Sequence, residues 1–315
     1  MKPSEVRTIF MGSPEFALPS LRALAERGYD LRLSVTQPDR RAGRGGRMRA
    51  PAAKVEAERL GIDVFQPASF RDPDAVATLA AVEPDLIVVA AYGRILPRAV
   101  LDLPRHPVVN VHPSLLPRWR GPSPVAAAIL AGDETTGVSI MELVPQMDAG
   151  PVLAARPFPI APTDTTAALE ARLAEEGAAL LVETLPGWLS GELRAVPQDE
   201  ASVTVCPLLE KAHGHLGVAM TAREAERAVR AYDPWPGAFV TYQGDRLAIW
   251  RASLADAGDG LVPGAITLVA GKPAVAFREG ALVLDEVQRS GSRRVSGEAF
   301  VNGERGRLAG SVGLA

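Results

Sequence analysis

From the start of the chain to about residue 188, short β-branched runs alternate with longer helix-like ones: 8–11, then 17–27, then 31–36. Strands separated by a helix cannot pair as hairpins, so the alternation predicts βαβ units and a parallel sheet. The segments 86–91 and 108–111 are almost wholly apolar, as expected of strands covered by helices on both faces. The expected fold class is α/β, with a Rossmann-like, mostly parallel sheet in the N-terminal domain. Such sheets carry their sites beyond the carboxyl ends of the strands. Function is therefore sought just after 86–91 and 108–111.

The pattern changes after residue 189. Over 190–207 helical periodicity stops and small, polar and proline residues accumulate, which reads as a linker. Beyond it, a helix over 223–231 precedes short runs at 238–242, 246–250, 265–269, 274–277 and 282–287, punctuated by Gly and Asp. These predict a smaller C-terminal β-barrel of the oligonucleotide-binding (OB-like) type. The expected domains are therefore 1–189, a linker over 190–207, and 208–315. A length of 315 residues, 47% of them apolar, suits two domains with cores of their own.

Composition excludes several classes of function. A net charge of −3 rules out a wholly basic protein that coats nucleic acid, so any RNA contact must come from local patches. Cys206 is the single cysteine and cannot form an internal disulfide, and four histidines give no zinc-type spacing. A reducing compartment and no metal are expected. Apolar runs such as 86–92 and 125–131 are far below the roughly 20 residues needed to span a bilayer. The opening residues lack an apolar signal core. A cytoplasmic, membrane-free monomer is the expectation. Gly12 follows the first strand, but no Gly-x-Gly-x-x-Gly or phosphate-loop pattern follows it, so a tight turn is expected there.

The most informative stretch is Val108-Val109-Asn110-Val111-His112-Pro113-Ser114-Leu115-Leu116-Pro117. Side chains alternate across a strand, so Asn110 and His112 share one face with backbones roughly 6.5 Å apart. Both can reach one reacting carbonyl. Taken alone, the pair serves equally well to satisfy loop backbone, and Asp148-Ala149-Gly150 alone reads as a turn. His213 and His215 read as residues of a solvated loop. The run from Arg40 to Arg49 places five arginines among three glycines. It reads as a flexible cationic loop, either merely solvated or able to find phosphates and unpaired bases.

The segment Asn110 to Pro117, followed by Arg118-Trp119-Arg120-Gly121 and by Asp148-Ala149-Gly150, resembles the signature of folate-dependent formyltransferases. Further segments bring the resemblance to the methionyl-tRNA formyltransferases. These are Phe10-Met11-Gly12-Ser13-Pro14-Glu15-Phe16-Ala17, Gln37-Pro38-Asp39-Arg40-Arg41-Ala42-Gly43-Arg44-Gly45, Ala90-Ala91-Tyr92-Gly93 and Asp233-Pro234-Trp235-Pro236-Gly237. Residues 208–220 depart from the family pattern, which usually carries a more acidic stretch with a tryptophan there.

The resemblance implies transfer of a formyl group from 10-formyltetrahydrofolate, as cosubstrate, to the amino group of methionyl initiator tRNA. A small amine such as an amino sugar is the competing acceptor, and hydrolysis by water a further one. The implied catalytic residues are Asn110, His112 and Asp148. Ser114, Leu115, Leu116 and Pro117 would contact folate, and the backbone from Ala91 through Tyr92 and Gly93 to Leu96 would line the pterin side. Asn110 and His112 would donate to the developing oxyanion. Asp148 would orient the imidazole and supply a nearby negative charge, or accept a proton from the attacking amine. The cationic run would hold RNA through Arg40, Arg41, Arg44, Arg47 and Arg49. Arg118 and Arg120, flanking Trp119, would help hold the terminal adenosine by charge and stacking.

Overall fold

A computed structural model of the chain describes residues 2–42, 47–256, 262–304, 308 and 310–315. It divides into two compact units. The first comprises Met1–Pro124, Thr135–Pro159 and Glu170–Pro207, and the second Val125–Glu134, Ile160–Leu169 and Leu208–Ala315.

The strands of the first unit are β1 (Arg7–Gly12), β2 (Asp30–Val35), β3 (Arg40–Ala42), β4 (Arg47–Arg49), β5 (Val64–Phe65), β6 (Leu86–Ala90), β7 (Val109–His112), β8 (Thr135–Glu142) and β9 (Val152–Pro159). Helices α1 (Leu18–Glu26), α2 (Ala52–Arg59), α3 (Pro73–Ala80) and α4 (Arg98–Leu101) connect them; α5 (Pro124–Ala131) falls almost wholly in the second unit, and α6 (Thr166–Leu189) belongs to the first from Glu170 on. Seven strands form one sheet in the order β5-β2-β1-β6-β7-β8-β9. Pairing is parallel from β5 to β7 and antiparallel for β8 and β9. This is the mostly parallel α/β sheet expected. β9 carries Arg156, Pro157 and Pro159 and is only partly buried, a composition tolerated at a sheet edge and not in its middle.

The chain winds outward from β1 to β5, then returns to lay β6 on the other side of β1. That reversal opens a crevice at the carboxyl ends of β1 and β6. Gly12 sits at its edge. A Cβ there would lie 2.7 Å from the Ala90 carbonyl oxygen and 2.6 Å from Ala17 Cβ, so its role is close packing of two strands and a helix start.

Alternate residues feed opposite faces of the sheet. Phe10, Val88, Val109, Val111 and Ile140 join Leu21, Leu24, Leu181 and Leu185 in one core, while Ile9, Met11, Ile87 and Val89 join Leu79 and Val100 in the other. Asn110 pairs with Val89 across the ladder, which puts Asn110 and His112 on this second face. A valine fully buried at either position would contribute roughly 1.5–3 kcal/mol. Two polar residues forgo that, and each needs a partner or a task.

In the second unit, Thr221 and Glu224 form a capping box that starts α7 (Ala222–Ala231). The unit's strands are β10 (Ala238–Tyr242), β11 (Asp245–Ala255), β12 (Ile266–Val269), β13 (Lys272–Ala276), β14 (Ala281–Arg289) and β15 (Val295–Ser296), followed by α8 (Gly297–Gly303). The antiparallel order is β10-β11-β14-β13-β12, with β15 beside β14. The last residues join the two edges: Gly313 bridges Thr241 of β10, and Ser311 bridges Ala265 just before β12. Joined edges turn the sheet into the small barrel expected. Among the described residues no helix is long and apolar enough to cross a membrane.

Candidate active site

β7 delivers Asn110 and His112 to the carboxyl end of the sheet, where the chain turns away at Pro113. Both are buried, at 9% and 4% exposure. His112 Nε2 lies 3.1 Å from the Trp119 carbonyl oxygen. A carbonyl only accepts, so this nitrogen carries a proton. Nδ1 faces Asp148 Oδ1 at 3.8 Å, within ion-pair range and beyond a hydrogen bond. No hydrogen bond engages the Asn110 carboxamide among the described residues, leaving its donors open beside the imidazole.

Asp148 lies in the connection between β8 and β9 at a left-handed φ of 49°. The strained turn aims the carboxylate inward, and Oδ2 accepts from the Gly121 N–H at 2.8 Å. Gly150 closes the same turn, and a Cβ on it would lie 1.8 Å from the Glu142 carbonyl oxygen. Gly150→Ala is therefore expected to lower stability by roughly 2 kcal/mol or more and to reduce turnover by displacing Asp148. A calorimetric midpoint and turnover equal to the parent's would show that the turn yields without consequence.

The loop after β7 is bonded to itself, to β8 and to residues 198–206. Ser114 is fully buried and its hydroxyl donates to the Arg118 carbonyl at 2.6 Å. Ser139, directly opposite His112, donates to the Ser114 carbonyl at 2.7 Å and accepts from the Leu116 N–H at 3.1 Å. The Ser114 side chain thus maintains the loop's shape, while Leu115, Leu116 and Pro117 are partly exposed. Leu115 lies over Gly137, where a Cβ would meet Leu115 Cδ2 at 2.5 Å.

Ala91, Tyr92 and Gly93 leave β6 at the crevice. Ala91 and Gly93 have φ of 48° and 76°. Gln37 Nε2 donates to the carbonyls of Tyr92 at 2.9 Å and Gly93 at 3.2 Å, fixing that backbone. Arg40 in turn donates to Gln37 Oε1.

The flanks of the cationic run form a hairpin rather than an irregular loop. β3 and β4 pair antiparallel, with Arg40 opposite Arg49, Arg41 opposite Met48 and Ala42 opposite Arg47. Arg40, Arg41 and Arg49 are exposed, and Arg44 lies outside the described residues. Like charges facing each other across a ladder are unfavourable by up to about 1 kcal/mol, and an anion seated on the pair would relieve that.

Arg118 stacks over the Trp119 ring at 4.5 Å. Arg120 departs from expectation: it is 7% exposed, and its guanidinium donates to Gln198 Oε1 at 3.0 Å and Glu200 Oε1 at 2.8 Å. With its donors committed inward, it is not placed to hold an adenosine. Cys206 backs the same loop, and burial pushes its thiol pKa up, which disfavours the reactive thiolate.

Sequence reasoning missed Ser139, Gln37, Thr204 and Gln198. Thr204 and Gln198 belong to 190–207, which lies against the site: Thr204 Oγ1 accepts from the Trp119 N–H at 2.8 Å and the Cys206 N–H donates to the Arg120 carbonyl at 2.8 Å. A polar residue in a proline-containing stretch gives no periodic signal, so these contacts were not readable. Among the described residues no group of three or more His, Cys, Asp or Glu could hold a metal ion.

A buried Asn-His pair at the end of a central strand, with a carboxylate beside it, is a geometry able to stabilise an oxyanion. Residues 6–185 match the formyl transferase family and residues 208–305 the formyl transferase C-terminal domain. The chain belongs to the formyl transferase family. It is 46% identical over 297 residues to methionyl-tRNA formyltransferase of Methylococcus capsulatus, covering 94% of this chain and 96% of that one. It is also 46% identical over 300 residues to methionyl-tRNA formyltransferase of Chloroflexus aggregans, covering 95% and 97%. Within the family it belongs with the methionyl-tRNA formyltransferases. Among solved structures, HypX from Aquifex aeolicus in complex with tetrahydrofolic acid aligns with 96% of this chain at 21% identity and a TM-score of 0.65. The chain spans about half of that protein, 47%, and the likeness is one of fold.

Proposed function

We propose that this protein transfers the formyl group of 10-formyltetrahydrofolate to the free amino group of methionyl initiator tRNA, giving N-formylmethionyl-tRNA for translation initiation. The observation that carries the reading is the open Asn110 carboxamide beside His112, with Asp148 at 3.8 Å. The methionyl amine attacks the formyl carbon, forming a C–N bond while the carbonyl electrons move onto oxygen. Asn110 and His112 donate to that oxyanion, His112 from its ring nitrogen on the Asp148 side, with Nε2 anchored by Trp119. The Asp148 carboxylate stabilises positive charge on the ring, as a buried carboxylate does beside a catalytic imidazole. The carbonyl then re-forms, the bond to folate N10 breaks, N10 takes up a proton and the amine gives one up.

The folate is held between the Ala91-Tyr92-Gly93 backbone and the Leu115-Leu116-Pro117 loop, and no metal takes part. Residues 1–189, with 190–207 against the site, perform the chemistry, and 208–315 binds part of the tRNA. The protein works as a monomer in the cytoplasm. Relative kcat/KM for charged initiator tRNA and a nucleotide-linked amino sugar, with labelled formylfolate, tests the acceptor. A marked preference for the tRNA is expected, and preference for the sugar would overturn the proposal.

The arginine-rich run over 40–49 holds RNA phosphates through Arg40, Arg41, Arg44, Arg47 and Arg49. Arg44→Ala is expected to raise KM for tRNA, reduce the salt dependence of binding by about one phosphate contact and leave folate affinity unchanged. Equal loss of folate affinity would contradict that division of labour.

A further inference from the structure

His112 is held by two loops. One, after β7, gives it the Trp119 carbonyl; the other, between β8 and β9, gives it the Asp148 carboxylate. Gln198 joins them. Its Oε1 accepts from Arg120 Nε at 3.0 Å, while its Nε2 donates to the carbonyls of Asp148 at 2.8 Å and Gly150 at 2.7 Å. A side chain that accepts from a guanidinium at one end and gives two N–H bonds at the other, while remaining uncharged, must be a carboxamide. Asparagine is one methylene shorter. The backbone on either side is fixed as well: Val196 exchanges two 2.8 Å hydrogen bonds with Val152, and Arg120 N–H donates to the Thr204 carbonyl at 2.9 Å. Gln198 thus spans the two loops from an anchored strand of backbone.

We propose that Gln198 is a positioning residue for formyl transfer, setting the separation of Asp148 from His112 by tying the Asp148 turn to Arg120. The inference rests on the reading of Asn110, His112 and Asp148 given above. Gln198 touches no reacting atom. Its effect reaches the chemistry through the Asp148 carbonyl, whose residue sits at a φ that is costly to hold without support.

Two substitutions in the full-length protein test this. Gln198→Met keeps the length and removes all three hydrogen bonds. It is expected to lower kcat by about tenfold to a hundredfold, the range that small misplacement of reacting groups produces, with KM for folate and tRNA close to the parent's and a modest fall in the melting midpoint, because three partners lose their bonds. Gln198→Glu keeps the acceptor facing Arg120 but turns a carboxylate oxygen toward the Asp148 and Gly150 carbonyls. The charged groups around it are Arg120, Glu200 and the Asp148 carboxylate. Protonation of the new carboxyl restores one donor, so the ratio of variant to parent kcat is expected to rise as pH falls; a purely structural loss would not recover in this way. Parental kcat in Gln198→Met, a flat ratio in Gln198→Glu, or a loss of kcat confined to temperatures near the lowered melting midpoint would each overturn the inference while parental formyl transfer to charged tRNA stood. A parent protein that transfers no formyl group would overturn the reading of the site and the inference with it.

Discussion

Asn110→Ala and His112→Ala are each expected to lower kcat by about 10²- to 10³-fold, the usual effect of losing one donor to an oxyanion, with folate affinity little changed. The two residues occupy one face of β7, on the side of the sheet where Ile9, Met11, Ile87 and Val89 build an apolar core. The Asn110 side chain has no internal hydrogen bond among the described residues to offset its burial. Its contribution is therefore expected mainly in the transition state, which appears in kcat rather than KM. His112 differs because truncation also leaves the Trp119 carbonyl unpaired, so some loss of stability is expected in that variant alone. If the two donors share one oxygen, their losses are not additive, and the double variant falls well short of the product of the singles. Steady-state kinetics on folded protein checks this. Normal turnover in either variant would remove that residue from the catalytic set.

Asp148→Asn is expected to reduce kcat by a comparable factor, about 10²-fold or more, although the side chain barely changes size. The amide can still accept from the Gly121 N–H through its oxygen, so the turn has reason to persist. What disappears is the negative charge 3.8 Å from the imidazole. At 15% side-chain exposure the carboxylate is partly sheltered from solvent, which makes its charge more effective than that of a surface pair. A shifted pH–rate profile is expected together with the loss. Normal turnover with an unaltered profile would require abandoning the charged role.

Much of the fold could be read because buried parallel strands announce themselves: 86–91 is wholly apolar, 108–111 is apolar but for Asn110, and both are central strands. The barrel strands were legible as short runs punctuated by Gly and Asp. β8 and β9 were not, since β9 carries arginine and proline on an edge, and edge strands need no continuous apolar signal. The hairpin of β3 and β4 was read as an irregular loop because arginine gives neither period, and its pairing depends on register. At the site, Asn110, His112 and Asp148 were found through motif and resemblance. Arg120 was misplaced because its charge suggested solvent and RNA, whereas it is buried and its guanidinium is engaged by Gln198 and Glu200, distant in sequence. Gln198 itself had no signal, because its meaning depends on two carbonyls in a turn 50 and 48 residues away.

The central claim is that the Asn110, His112 and Asp148 constellation moves a formyl group to an amine. A single-turnover reaction with labelled 10-formyltetrahydrofolate, the full-length protein and methionyl initiator tRNA tests it most directly, reading where the label goes. The expected result is label bound to the methionyl amine, released as N-formylmethionine when the ester is hydrolysed, with little free formate. Label appearing as formate at the same rate with and without tRNA would make water the acceptor and contradict the account.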